Sequence, residues 1–405
     1  MLRGTFSRRL LPLTSVLAIA GMAGLARGQA QHSPAPYASL AEKGARYAGP
    51  GREAAFDLPG PVLRIGVLAP LHGPQRADGE AILTAAGMAL KDESAKPLPG
   101  GLRLALATAD ESVPPWGTFG DEIIHLVVEE NAIAVVTSAD AVSAHLSEQI
   151  GNKIGVPVLT LSTDPTTTEI NLPWIFRLGP SDTVAAHAIA RDIYLRRKFS
   201  RVILVAESDH DGRLGAAEFE KAARQAGAPA PIPFVAGPEP PAAGALLALI
   251  RKTSAQAVVF WARPQITGQL VRAIRQAGDS IPVYLSQESA QASSGIEFPG
   301  SLAQENGPKA NTAASTVEPG GTAAAWRASF VRRYQAATGT FPSAVAAEAY
   351  DAVRLIARAV RAAGPNRARV RDQIASVRAL EGASGAISFD DQGNNQAGAR
   401  LVPLR

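Results

Sequence analysis

Leu63-Arg64-Ile65-Gly66-Val67-Leu68-Ala69-Pro70-Leu71-His72-Gly73-Pro74, with Gly79-Glu80-Ala81 shortly after it, is the stretch that decides the fold. An apolar run that stops at a proline, followed by a longer amphipathic stretch over 79–93, reads as a buried strand feeding a helix. The rhythm then repeats. Runs rich in Val, Ile and Leu at 102–108, 132–137, 156–161, 201–206, 257–261 and 282–285 alternate with helical stretches at 118–130, 143–154, 182–197, 216–226 and 266–277. Strands that are apolar on both faces need a covering layer on each side, which is the α/β arrangement of a parallel sheet wrapped by helices. Ala185, Ile189 and Ile193, four residues apart, mark the buried stripe of one such helix.

Two series of this kind flank Arg177-Leu178-Gly179-Pro180-Ser181-Asp182, and each has the size of one α/β domain. The expectation is therefore an α/β chain with two doubly wound parallel-sheet lobes. Residues 295–319, rich in Gly, Pro, Ser and Asn, read as a surface loop or crossover. Helices are predicted at 323–338, 343–363 and 369–377. Gly385-Ala386-Ile387-Ser388-Phe389-Asp390-Asp391-Gln392-Gly393-Asn394 then reads as a short strand closed by a polar turn.

The first 30 of the 405 residues carry Arg3, Arg8 and Arg9, an apolar run over 10–25, and Gly28-Gln29-Ala30, the layout of a signal peptide cleaved near Ala30. That run, interrupted by Pro12, falls short of the roughly 20 residues of a membrane-spanning helix. Ser7-Arg8-Arg9-Leu10-Leu11 is similar to a twin-arginine signal, so the general secretory and twin-arginine routes both stay open. Residues 31–61, rich in Ala, Pro and Gly, read as a linker or N-terminal arm with a short helix around 37–47.

The chain has 40 basic and 36 acidic residues, but the first 30 positions hold four arginines and no acid, so the remainder is balanced. Without net charge or a basic cluster beside aromatics, no nucleic-acid partner is expected. The absence of cysteine excludes a disulfide framework, a thiol nucleophile, a thiolate metal site and lipid attachment at an N-terminal cysteine. An exported chain with no lipid anchor is expected in a periplasm.

Several motifs, taken in order, carry a family likeness. The opening stretch 65–74 with Gly79-Glu80-Ala81 is similar to a first strand and ligand loop. Ile154-Gly155-Val156-Pro157-Val158-Leu159, then Ser162-Thr163-Asp164-Pro165, is similar to a pocket strand and its loop. Trp174-Ile175-Phe176-Arg177-Leu178 with Ser181-Asp182 is similar to a hinge crossing, Tyr350-Asp351-Ala352-Val353 to a late core helix, and Ile387-Ser388-Phe389-Asp390 with Gly393 to a terminal strand. Across residues 62–396 the chain resembles the type I periplasmic solute-binding proteins of the branched-chain amino acid (leucine-isoleucine-valine) group, which serve ABC transporters.

The resemblance implies two lobes joined by a three-stranded hinge with a ligand between them, lobe 1 at 62–181 plus 290–380 and lobe 2 at 182–289 plus 381–405. It also implies a set of ligand-binding residues. Ser138, Ala139 and Asp140 fall in the loop expected to meet a ligand carboxylate, as do Ser162 and Thr163, for which a plain helix cap is an equal alternative. Glu288 falls where amino-acid-binding relatives place an acid against the ligand ammonium, the alternative being an exposed loop carboxylate. Asp211, in Ser208-Asp209-His210-Asp211-Gly212, occupies the place of a tyrosine that relatives use as a stacking wall. Trp261 either stacks on the ligand or packs in the core, Arg263 either pairs with an acidic group or stays solvated, and His72 sits in the first ligand loop. These departures put leucine, isoleucine and valine themselves in question.

Enzyme signatures are missing: there is no G-x-S-x-G, no G-x-x-x-x-G-K-[ST] and no H-E-x-x-H. Gly49-Pro50-Gly51-Arg52-Glu53-Ala54 matches a dinucleotide pattern in letters, but it precedes the first strand instead of following it. The six histidines, at 32, 72, 125, 145, 187 and 210, lack close metal-ligand spacing, and Asp209-His210-Asp211 reads as a solvated loop. Neither cofactor nor metal is expected. The sequence therefore points to a monomeric binding protein with two partners. One is a small solute (an amino acid, amide or small aromatic or carboxylic acid), the other an inner-membrane ABC permease. The alternatives are a periplasmic sensing module acting through a protein partner and, more remotely, an α/β hydrolase.

Overall fold

The strand read first, β1 (Val62–Ala69), lies inside a five-stranded parallel sheet ordered β2-β1-β3-β4-β5. The other strands of this sheet are β2 (Arg103–Asp110), β3 (Ala134–Thr137), β4 (Val158–Thr160) and β5 (Ile175–Arg177). The computed structural model describes residues 47–112, 119–237, 243–290, 311–314, 322–396 and 399–403. A second, six-stranded sheet contains β6 (Val202–Glu207), β7 (Ile232–Ala236), β8 (Ala257–Trp261), β9 (Val283–Leu285), β10 (Asn311–Ala314) and β13 (Arg400–Pro403), in the order β13-β10-β9-β8-β6-β7. All its pairs are parallel except β10 with β13 at one edge. The pair β11 (Leu380–Glu381) and β12 (Ala386–Ile387) forms a separate hairpin.

The connecting helices are α1 (Arg76–Ser94), α2 (Phe119–Ile124), α3 (Ala141–Ile154), α4 (Thr166–Glu169), α5 (Asp182–Ala190), α6 (His210–Gln225), α7 (Ala243–Thr253) and α8 (Pro264–Gln276). After β10 come α9 (Thr322–Thr338), α10 (Ala344–Ala363) and α11 (Arg367–Ala375). Asp140, Ser181, Asp209, Ser343 and Asn366 each cap the helix they precede, accepting a first-turn backbone N–H on the side chain. Beyond α2 and α5 the chain continues as wider π-type turns over His125–Glu129 and Arg191–Arg196, so the two long predicted helices are each broken in character.

Each sheet has its own core. Ile65, Val67 and Phe176 of the first pack with Ile82 of α1, Phe330 of α9, Tyr350 and Val353 of α10, and Phe389. In the second, alternation sends Val202 and Leu204 to one face with Trp261, Tyr284 and Phe219, and sends Ile203 and Val205 to the other with Phe260, Leu270 and Ile274. Gly215 makes the first of these faces fit, because a Cβ there would stand 1.9 Å from the Trp261 ring.

Several expectations change. The stretch at 295–319 contains β10, held between β9 and β13, and its other residues lie outside those described. An Asn-Thr-Ala-Ala run has little strand signal of its own, and the partners that enforce it are distant in sequence. β10 puts residues 311–314 in the second sheet, while Ala383, Ile387 and Phe389 stay in the first core, so the halves divide later in the chain than 290 and 381. Short β5 precedes the first crossing, and β7, α4 and α7 were not read. Pro233 is tolerated in β7 because that strand forms the sheet edge. The end of the expected linker is packed structure: the Tyr47 ring packs tilted against Trp174 with centroids 4.7 Å apart, Arg52 Nε pairs with Asp372 at 2.7 Å, and Asn366 Nδ2 donates to Asp57 at 3.0 Å. The helix expected at 37–47 falls almost wholly outside the described residues.

Candidate functional site

Strands of both sheets end at a narrow cleft. The first half contributes Asp78 from the first turn of α1, and Ser138, Ala139 and Asp140 from the loop after β3; the second contributes Asp211 from α6, Arg263 from the start of α8, and Glu288. The cleft between them is small, with about 30 Å³ open to the centres of water molecules. Gln265 Nε2 reaches across the cleft and donates to Pro74 O at 3.1 Å. A larger groove of about 850 Å³ lies among α10, α11 and β11, away from the sheet ends that gather these carboxylates.

Local structure explains the placements. Gly79 lets the head of α1 press on Pro70, whose carbonyl oxygen would lie 1.8 Å from any Cβ there, and this brings Asp78 to the cleft. Ser138 Oγ accepts from the Asp140 N–H at 3.1 Å, and Asp140 Oδ1 accepts from the Ser143 N–H at 2.7 Å. Asp209-His210-Asp211 is the head of α6 and not a solvated loop. Asp209 caps the helix, which leaves Asp211 one oxygen buried without a partner among the described residues. Arg263 is half-buried and paired: its backbone N–H and guanidinium both donate to Glu207, with Nε to Oε1 at 2.9 Å.

The remaining predicted residues sit differently. Ser162 is buried, its Oγ accepting from the Asp164 N–H at 3.2 Å, and Thr163 O accepts from the Asp182 N–H at 2.8 Å. Neither is among the described residues lining the cleft. Trp261 is 1 % exposed in the core of the second half, with Nε1 donating to Asp182 Oδ1 at 3.0 Å, which matches the packed alternative. His72 is largely exposed, its Nδ1 2.6 Å from Asp110 Oδ2.

The cleft is strongly acidic. Arg263 is the one cation among its described lining residues, and Glu207 already answers that charge. Burial raises the Asp211 carboxyl to about 8, with Asp140 adding to the effect. Burial raises Glu288 well above the usual carboxylate range, with Asp211 next in weight. Asp78 rises to about 6 through burial alone. Glu111, buried just beyond β2, rises to about 8 through burial against a weaker pull from nearby Ser138. Like charges confined this closely either share protons or accept a cation between them. Asp78 and Glu111 escaped the sequence reading, although both lie where a strand-to-helix loop opens, the position at which such folds place ligand contacts.

Two sheets whose strand ends converge on a shared, nearly closed cleft define a two-lobed solute-binding protein. The chain belongs to the periplasmic binding protein family, whose model matches residues 62–404, and that family consists of solute-binding proteins and not enzymes. Solved structures share the fold. The branched-chain amino acid transporter substrate-binding protein of Streptococcus pneumoniae, solved with isoleucine, is 20% identical with a TM-score of 0.72, covering 85% of this chain and 96% of its own. A leucine-binding protein of Thermotoga maritima is 17% identical with a TM-score of 0.71, covering 85% and 95%. An ABC-transporter solute-binding protein of R. palustris, solved with benzoate, is 17% identical with a TM-score of 0.69, covering 85% and 96%. No curated protein matches in sequence. Among the described residues no helix is long and apolar enough to cross a membrane.

Proposed function

We propose that the protein captures a small solute bearing an ammonium group, an amino acid or related amine, in the cleft between its lobes. In this reading it acts in the periplasm after removal of residues 1–30 and delivers the closed form to an inner-membrane ABC permease. Lobe 1 is residues 62–181 with 322–396, and lobe 2 is residues 182–290 with 311–314 and 399–403, among the described residues. The observation that carries this reading is the meeting of Asp78 and Asp140 from one half with Asp211 and Glu288 from the other, while Arg263 is neutralised by Glu207. An ammonium between Asp140 of one half and Asp211 of the other relieves their repulsion, and it does so only when the lobes are together. A solute that binds the closed arrangement better than the open one drives closure by that difference. Relatives of this fold hold isoleucine, leucine or benzoate. An acidic wall suits the amino acids and opposes a free carboxylate such as benzoate.

The test is a thermal-shift screen of the mature chain against amino acids, amines, benzoate and dicarboxylates. A solute present at 100 times its dissociation constant adds about 2.7 kcal/mol of stability. Stabilisation by amine-bearing solutes, with no change in the solute itself, is the expected outcome; stabilisation by carboxylates alone sinks the reading. Glu288→Gln is expected to weaken an amino acid by about 1.5–3 kcal/mol and its deaminated analogue far less. Equal losses for the two remove Glu288 from the amine site.

A further inference from the structure

Beside the cleft, three metal-ligating side chains from both halves of the molecule converge on one point. His145 lies on α3 and Asp164 in the loop after β4, while His210 is the first residue of α6 in the other half. His145 Nε2 stands 3.2 Å, and His210 Nε2 3.0 Å, from the same oxygen, Asp164 Oδ2. All three ligand atoms lie within 4.8 Å of one another. We propose that His145, Asp164 and His210 form a binding site for a divalent transition metal, best matched by zinc, that ties the two lobes together.

The chemistry of the donor set supports this. Two imidazoles and one carboxylate with no thiolate form a borderline set that suits zinc and leaves a fourth position for water. A tetrahedral ion with zinc-to-ligand bonds of about 2.0–2.2 Å separates its ligands by about 3.3 Å, close to the two separations seen.

The surroundings are organised as metal sites organise theirs. Glu148, 1 % exposed, stands 3.2 Å from His145 Nδ1, so it can accept a hydrogen bond from the Nδ1–H and fix the tautomer that leaves the Nε2 lone pair for an ion. Asp164, itself 3 % exposed, has its other oxygen, Oδ1, occupied by the Thr166 N–H at 2.8 Å and Oγ1 at 2.6 Å, so Oδ2 is the oxygen presented to both rings. Thr166 Oγ1 also lies 3.0 Å from His145 Nε2. The His210 side chain is 47% exposed, which gives an ion a way in. Sequence spacing hides the site because its ligands come from positions 145, 164 and 210, and His210 joins the other two only when the halves meet.

The ligands divide between the halves, so an ion binds the closed arrangement more tightly than the open one, and a solute that closes the cleft raises metal affinity by the same factor that metal raises solute affinity. The site does not depend on which solute the cleft takes.

The experiment uses untagged mature protein stripped with chelator, titrated with zinc chloride by calorimetry and with cobalt(II) by visible absorption. One ion per chain, an intense tetrahedral cobalt band and a raised melting temperature are expected. His210→Ala and His145→Ala each lose at least tenfold in zinc affinity, Glu148→Gln loses about tenfold, and His72→Ala loses nothing. Circular dichroism shows that each variant is folded; His210→Ala, at a half-exposed helix end, is the variant least able to disturb the fold. An absence of saturable zinc binding, or binding that survives in both histidine variants, overturns the proposal and leaves the cluster as histidines paired with carboxylates.

Discussion

The position that best separates stability from function is Asp211. Its carboxyl is raised in the folded protein from an ordinary 3.8 to about 8, so the folded state holds a proton that the unfolded state has released. Between those values the native form binds more protons, and its stability falls as pH rises. Asp211→Asn is therefore expected to raise the melting temperature at pH 8 and to flatten its pH dependence from 5 to 9. The gain is about 1–2 kcal/mol, well short of the full shift because Asp211 and Glu288 share the repulsion. The same change weakens an amine solute. A melting curve at pH 8 no higher than that of the parent chain contradicts this account. Ser138, Ala139, Asp140, Asp211, Arg263 and Glu288 were legible as neighbours because a family resemblance aligned their loops. The pairing of Arg263 with Glu207 was not, because a side-chain partner 56 residues away leaves no trace in local pattern.

Elements with strong periodicity were legible to within a few residues: β8 falls at 257–261 as expected, and α1, α3 and α10 extend or trim their predicted spans slightly. Those that failed owe their existence to partners. β10 depends on β9 and β13, and β7 survives a proline because one side of it is free. Packing between elements also explains Gly215, which sits in α6 where a helix former would ordinarily be favoured. Gly215→Ala drives a methyl group into Trp261 and is expected to cost about 1–3 kcal/mol in urea denaturation, with altered indole fluorescence. A neutral substitution indicates that α6 slides away from β8 without loss. Arg177, 1 % exposed at the end of β5, donates to the carbonyls of Ser162, Asp164 and Pro165 and to Thr168 and Asn394, knitting the pocket loop to the returning chain.

At the scale of the whole molecule, the two-sheet architecture followed from the alternation of strands and helices, whereas the points at which the chain changes sheet did not. The N-terminal arm is the other surprise. Its Ala, Pro and Gly content suggested a linker, yet from Tyr47 onward it is anchored to Trp174 and α11. Tyr47→Ala removes the ring that covers Trp174 and is expected to cost about 1–3 kcal/mol, with a red-shifted tryptophan emission as that indole meets water. Unchanged emission marks the arm as dispensable. The route of the chain carries a further consequence for biosynthesis. The second sheet draws four of its strands from the continuous stretch 202–285, but the first core waits for Phe330, Tyr350, Val353 and Phe389, and α1 finds its partner α10 some 250 residues later. A nascent chain therefore cannot complete the core around its N-terminal sheet until most of it has been made, and contacts this distant in sequence form slowly. Late closure of the first core makes that waiting half the segment most in need of a chaperone.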